Sequence, residues 1–119
     1  MPLILVVDDD AFMRMRASRV LTDAGFDVVE AANGALAVES YIRERPDVVL
    51  MDITMPEMDG LEALTEIRKH DPTARVAMLT AIRQQAVVLD ALKRGALDFI
   101  VKPFVPGRIL TTVTKLLSM

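Results

Sequence analysis

The chain contains no cysteine, which removes a disulfide scaffold, an iron–sulfur cluster, a thiolate zinc site and a cysteine nucleophile, and permits a reducing compartment. Long hydrophobic runs are also missing. The longest uninterrupted apolar stretch is Leu3 to Val7, far short of the ~18 residues that span a bilayer, and no basic segment precedes it as a signal peptide requires. The expectation is an unexported, cytoplasmic protein without a membrane partner. There is no Lys/Arg block either: 14 basic and 17 acidic side chains leave a formal charge of −3, with a pI near 5.1. Direct nucleic-acid binding by this segment is therefore not expected. Neither a Ser/Thr-rich flavin phosphate loop nor the G-x-x-x-x-G-K pattern of nucleotide hydrolases occurs.

What is present suits one domain. With 119 residues, 52% of them hydrophobic, residues 1–119 are long and apolar enough to bury one core without a second domain. Short β-rich runs occur at Leu3 to Val7, Phe26 to Glu30, Val48 to Met51, Val76 to Leu79 and Phe99 to Val101. Four of the five are apolar throughout, the mark of strands buried on both faces and paired in parallel under helices. Helical patterns lie between them. Met13, Ala17, Val20, Leu21 and Ala24 follow the N-cap candidate Asp10 and stop at Gly25. Asn33-Gly34 opens a second helix carrying Leu36, Val38, Tyr41 and Ile42, and ending before Pro46. Leu61, Leu64 and Ile67 follow Asp59; Val88, Ala91 and Leu92 precede Gly95; Ile109, Val113, Leu116 and Leu117 follow Pro106-Gly107. The order is βα five times over, which predicts an α/β fold with a five-stranded, doubly wound parallel sheet of flavodoxin-like type, since each parallel connection needs a crossover helix.

Polar residues follow these strands in a telling way. The first runs out into Asp8-Asp9-Asp10, the third into Asp52, the fourth into Thr80 and the fifth into Lys102. In open α/β sheets the carboxyl ends of the strands form the ligand crevice, so these residues are expected to converge. Close carboxylates repel, and a divalent cation or the lysine must neutralise them. Mg²⁺, with Mn²⁺ as a substitute, suits such hard oxygen donors. Asp10 reads as a helix cap, and His70 as a cation favoured by the end of its helix rather than a catalytic group. Met13, Met51 and Met78 read as core filler, and Arg14, Arg16 and Arg19 as a solvated helix face.

Val7-Asp8-Asp9, Met51-Asp52, Met55-Pro56 through Asp59-Gly60, Leu79-Thr80-Ala81 and Val101-Lys102-Pro103 resemble, in order and spacing, the receiver domain of two-component response regulators, in its single-domain, chemotaxis-receiver form. The resemblance covers essentially the whole chain. It implies strand order 2-1-3-4-5, with Asp52 as phosphoacceptor and Asp8, Asp9, Asp52 and the Thr54 backbone carbonyl as metal ligands. It further implies that Thr80, Ala81, Phe99 and Lys102 contact the phosphoryl group or act as switch residues, with a cis Lys102–Pro103 bond. A phosphorylation-activated signalling switch follows, charged by a histidine kinase or a histidine phosphotransfer protein, and an enzyme only toward itself. Its output partner, an effector domain or a second copy, would engage the face formed by the fourth helix, fifth strand and fifth helix. The fourth helix is over-supplied with apolar residues, and some of Ala86, Val87 and Leu89 are expected to face water or that partner.

Two positions depart from the usual receiver pattern. Phe99 stands where tyrosine or histidine is frequent, and Ile82 is bulky where polar residues often admit water, so Thr54 and Ile82 are expected to set the phosphoryl lifetime. Two other functions fit parts of the pattern. A Mg²⁺-dependent phosphohydrolase of the haloacid dehalogenase type also uses an aspartyl nucleophile, but needs a general acid where this chain has Thr54. An unphosphorylated interaction module would share the fold, but such modules usually lack one of the acids, the threonine or the lysine.

Overall fold

The computed structural model describes residues 1–119. Its elements alternate as β1 Leu3–Val7, α1 Ala11–Asp23, β2 Asp27–Ala31, α2 Gly34–Glu44, β3 Val48–Met51, α3 Gly60–His70, β4 Val76–Thr80, α4 Gln85–Lys93, β5 Asp98–Val101 and α5 Pro106–Leu117. All strand pairs are parallel, in the order β2-β1-β3-β4-β5, as the resemblance implies. β3 and β4 are buried along their whole length, which accounts for their unbroken apolar sequences. No helix is long and apolar enough to cross a membrane.

Alternation along each strand makes two cores. Leu5, Val7, Val49, Met51 and Met78 pack beneath α2, α3 and α4 with Ala37, Tyr41, Leu64, Ile67 and Ala91. Ile4, Val6, Leu50, Ala77 and Ile100 turn to the other face and meet Leu21, Ile109, Val113 and Leu116 of α1 and α5. Met13 packs at the border of this second core. The helix starts follow local chemistry. Asp10 accepts from the amides of Phe12 and Met13, Asn33 accepts from Leu36, and Asp59 forms a reciprocal capping box with Glu62.

Several details differ from the sequence expectation. β2 begins one residue later than expected, because the Phe26 amide is taken by the Leu21 carbonyl at the end of α1 and pairing with β1 starts at Asp27. β5 begins one residue earlier, at Asp98, opposite Ala77. On α2 the inward residues are Gly34, Ala37, Ser40 and Tyr41, while Leu36 and Ile42 are exposed; a close approach to α3 favours small side chains there. α4 buries only Ala91, with Val87 packed against the core and Leu92 exposed rather than inward. Leu89 and Ala86 face water, in line with the surplus noted on this helix.

A polar clasp joins β5 to α5. Asp98 accepts from the Phe99 amide at 2.8 Å, Lys115 Nζ at 2.9 Å, Thr112 Oγ1 at 3.0 Å and both Arg108 terminal nitrogens at 3.3 Å. Arg108 also donates to the Phe99 carbonyl at 3.3 Å. Burial alone would push the Asp98 carboxyl up, but Arg108, Lys115, the Phe99 amide and Thr112 hold it well below the carboxylate range. The stability this carboxylate contributes is therefore fully present above the unfolded value of about 3.9 and is lost as pH falls through the lower folded value. Asp98→Asn is expected to lower stability by about 1–2 kcal/mol at pH 7, with the gap to wild type narrowing below pH 4. Urea melts at pH 7 and pH 3 measure both, and an equal gap at the two pH values contradicts the assignment.

Candidate functional site

The sheet seats its polar residues by extending the ladder one step past the strands. The Asp52 amide donates to the Val7 carbonyl at 2.9 Å, that of Lys102 to Thr80 at 2.8 Å and that of Asp8 to Ala31 at 3.2 Å. Residues separated by up to 94 positions thus share one rim. Gly60 closes the loop that carries Asp52: its amide donates to the Ile53 carbonyl at 2.8 Å, and a Cβ there would lie 1.9 Å from the Asp52 carbonyl oxygen. Only glycine lets α3 begin this close to the β3 end. In the same loop Glu57 adopts a left-handed φ of 67°, a conformation that costs a non-glycine residue of order 1 kcal/mol.

At the rim, carboxylate oxygens of Asp8, Asp9 and Asp52 lie within 4.8 Å of one another. Asp8 and Asp52 are buried, whereas Asp9 is exposed. The Lys102 ammonium bridges the two buried acids, donating to Asp8 Oδ2 and, at 3.4 Å, to Asp52 Oδ2. The other oxygens are occupied locally: Asp8 Oδ1 accepts from the Asp10 amide at 2.9 Å, and Asp52 Oδ1 from the Ile53 amide at 2.8 Å. Burial pushes the Asp52 carboxyl above its ordinary value, against the opposing pull of the Thr80 hydroxyl and Lys102. Burial would pull the Lys102 ammonium down, but Asp8 and Asp52 more than offset it and leave the group above its ordinary value. Three carboxylates against one ammonium leave two negative charges in excess. A divalent cation with a preference for hard oxygen donors fits that set.

The remaining residues named from the sequence surround this centre. Thr80 is buried at the end of β4, and its Oγ1 accepts from the Ile82 amide at 3.5 Å. Ala81 and Lys102 line the same cavity as the acids, about 460 Å³ in volume. Thr54 is exposed. Ile82 and Phe99 are half-buried and pack against the core beneath α4, and the Lys102–Pro103 bond is cis.

Of the arginines expected on a solvated face, Arg16 and Arg19 are exposed and Arg14 is not. Arg14 is largely buried, with Nη1 donating to the Asp8 carbonyl at 2.7 Å and Nε to Glu30 at 2.8 Å. Arg16 lines the acid cavity and lies over the ring of Phe104 at 5.3 Å and that of Phe12 at 6.0 Å. Phe12, one turn before Arg16 on α1, is a local partner, whereas Glu30 and Phe104 come from β2 and from the segment after β5 and leave no sign in the periodicity of α1. A further signal is that Phe104 directly follows Lys102-Pro103.

Comparison with known proteins places these features in a family. The model of the response regulator receiver domain matches residues 4–114. The chemotaxis protein CheY of Bacillus subtilis is 55% identical over 116 residues, 97% of each chain, and that of Thermotoga maritima 52% over 113 residues, 94% of each. Among solved structures, the response regulator domain of Thermotoga maritima CheB superposes with a TM-score of 0.94 at 36% identity, covering 100% of this chain and 98% of that one. CheY of Borrelia burgdorferi, in its complex with CheX, BeF3 and Mg²⁺, gives 0.91 at 38% identity over 95% and 87%.

The charge excess has a cost that can be measured without any ligand. An acid whose folded value is raised binds its proton more tightly when folded, so its contribution to stability falls as pH rises above about 4. Asp52→Asn is expected to raise the thermal midpoint at pH 7, in EDTA, by roughly 3–5 °C, with the gain shrinking toward pH 4. Calorimetry at the two pH values checks this; a lower midpoint at pH 7 contradicts it.

Proposed function

The chain belongs to the response regulator receiver family, whose members are phosphorylation-activated switches of two-component signalling, and on that premise we propose that Asp52 is its phosphoacceptor. The observation that carries this reading is the meeting of Asp8, Asp9 and Asp52 within 4.8 Å under a single bridging lysine. Asp8, Asp9, Asp52 and the Thr54 carbonyl would hold Mg²⁺, or Mn²⁺ in its place. Such an ion, when bound, neutralises charge on the transferring phosphoryl oxygens. The Borrelia neighbour solved with Mg²⁺ and BeF3 supports that fit.

The chain's own residues supply the rest. Phosphoryl transfer has a loose transition state with charge spread over the equatorial oxygens, so positioning and electrostatics dominate. Asp52 Oδ1 is held by the Ile53 amide, which fixes the carboxylate plane, while Oδ2 faces Lys102. The Lys102 ammonium, the Thr80 hydroxyl and the Ala81 amide then serve as donors to the phosphoryl oxygens. The new charge, roughly −1.5 to −2, draws the Thr80 hydroxyl away from the Ile82 amide and lets the half-buried Phe99 ring follow inward. Ile82 and Thr54 flank the approach of hydrolytic water and set the lifetime of the acyl phosphate.

The phosphoryl group comes from a histidine kinase or a histidine phosphotransfer protein. Output runs through the α4, β5 and α5 face, where Leu89 and Leu92 are exposed, to an effector or a second copy of the chain. The Borrelia complex with CheX is a precedent for a protein partner of such a receiver. A cytoplasmic setting accords with this role.

Incubation with Mg²⁺ and phosphoramidate is expected to add one phosphoryl group, seen by intact mass, and Asp52→Asn is expected to abolish it. Lys102→Ala should leave the fold intact and slow the reaction by at least about tenfold. An unchanged adduct in Asp52→Asn overturns the assignment.

A further inference from the structure

The three arginines of α1 differ in how their charge is used. Arg14 is paired with Glu30 at 2.8 Å, and Arg19 lies 3.8 Å from Asp23. Arg16 has no carboxylate partner, although it lines the same cavity as Asp8, Asp9, Asp10 and Asp52. Arg16 is exposed, and its guanidinium carbon lies over the rings of Phe104 at 5.3 Å and Phe12 at 6.0 Å. A guanidinium placed over an aromatic ring and lacking a carboxylate partner keeps N–H donors available, in the fork geometry that matches a carboxylate. Phe104 is itself buried, so the platform beneath Arg16 is fixed.

The cavity's second cation is already committed. Lys102 is held between Asp8 and Asp52 at the floor, whereas Arg16 lies on the wall formed by α1. In-line attack by Asp52 requires the leaving group to depart on the far side of phosphorus, away from the buried Asp52. Asp10, an exposed acid outside the set that would hold Mg²⁺, lines the same cavity and repels a departing anion. Arg16 is the uncommitted cation able to oppose it.

We propose that Arg16 is a donor-selecting residue, whose guanidinium edge, presented by Phe104 at the mouth of the acid cavity, receives the carboxylate leaving group of acyl-phosphate donors. The inference rests on the reading of Asp52 as phosphoacceptor. With an acyl phosphate, an Asp52 carboxylate oxygen forms the new O–P bond while the bond from phosphorus to the acyl oxygen breaks. The carboxylate departs with that electron pair, takes up no proton and carries a full negative charge for Arg16 to meet. With phosphoramidate the P–N bond breaks and the already protonated nitrogen leaves as neutral ammonia, which gives Arg16 no charge to stabilise. The residue therefore tilts the protein toward acyl phosphates among small donors.

The test compares initial phosphorylation rates of wild type and Arg16→Gln with acetyl phosphate and with phosphoramidate, in Mg²⁺, by intact mass. The substitution is expected to slow the acetyl phosphate reaction about fivefold and the phosphoramidate reaction less than about twofold. The difference should persist in 1 M KCl, where screening reduces the reach of charge to about 3 Å, because it arises from contact. Equal slowing with both donors, no slowing, or a difference that disappears in 1 M KCl overturns the proposal. Asp52→Asn, run alongside with both donors, separates the two readings: an adduct surviving in that variant defeats the phosphoacceptor assignment itself, whereas its loss with an unselective Arg16→Gln defeats only the role of Arg16.

Discussion

Repulsion between like charges held at close range is the constraint on which this molecule turns. Charged carboxylates within 4.8 Å of one another, as oxygens of Asp8, Asp9 and Asp52 are, repel by roughly 3 kcal/mol or more per pair at an effective dielectric constant of about 20. Lys102 offsets much of that through its ion pairs with Asp8 and Asp52. It leaves the burial of Asp52 only partly offset, so that carboxyl stays above its ordinary value. The resting protein therefore carries an electrostatic load at one point, and whatever supplies positive charge there is bound with the free energy that relieves it. A switch needs such a point, where a small local change alters the balance among nearby arrangements.

The fold makes this load tolerable by spreading its supports over the whole sheet. Asp8, Asp52 and Lys102 follow three different strands, and the amide of each is tied to a neighbouring strand by a ladder hydrogen bond. Moving one of these groups means straining the sheet, which is packed on both faces. Gly60 and the left-handed Glu57 let the loop after Asp52 fold back tightly. Arg14 fastens the Asp8 carbonyl to β2 through Glu30. On the proposed reading of Asp52 as phosphoacceptor, the parts left to move are few: the Thr80 hydroxyl, the Ile82 segment and the half-buried Phe99. Beside the Phe99 ring, the Asp98 carboxylate accepts from the Phe99 amide and Arg108 of α5 donates to the Phe99 carbonyl, which ties the backbone of β5 to α5.

Much of this was legible from the order of residues. Unbroken apolar runs at Val48 to Met51 and Val76 to Leu79 announced strands covered on both sides, and the acids, threonine and lysine beyond the strand ends announced a crevice. The caps at Asp10, Asn33 and Asp59 were readable because each acts within three residues. What escaped depends on distant partners. Arg14 and Arg16 look alike along α1, and only Glu30 and Phe104, brought in by the sheet, give them different tasks. The inner face of α2 was hidden because Gly34, Ala37 and Ser40 are small, and a pattern of large apolar residues points instead to Leu36 and Ile42, which are exposed. The one-residue shift of β2 came from competition for the Phe26 amide, which no periodicity records.

The switch proposed for Asp52 depends on a divalent cation offsetting the excess charge at the rim. Its most direct test is the thermal midpoint of the protein as a function of Mg²⁺ concentration, for wild type and for Asp9→Ala. Ligand that binds only the folded state raises stability by RT ln(1 + [L]/Kd), so the account predicts a rise in the wild-type midpoint with added Mg²⁺ and a rise in Asp9→Ala only at much higher concentrations. A wild-type midpoint indifferent to Mg²⁺, or the same dependence in both proteins, would contradict it.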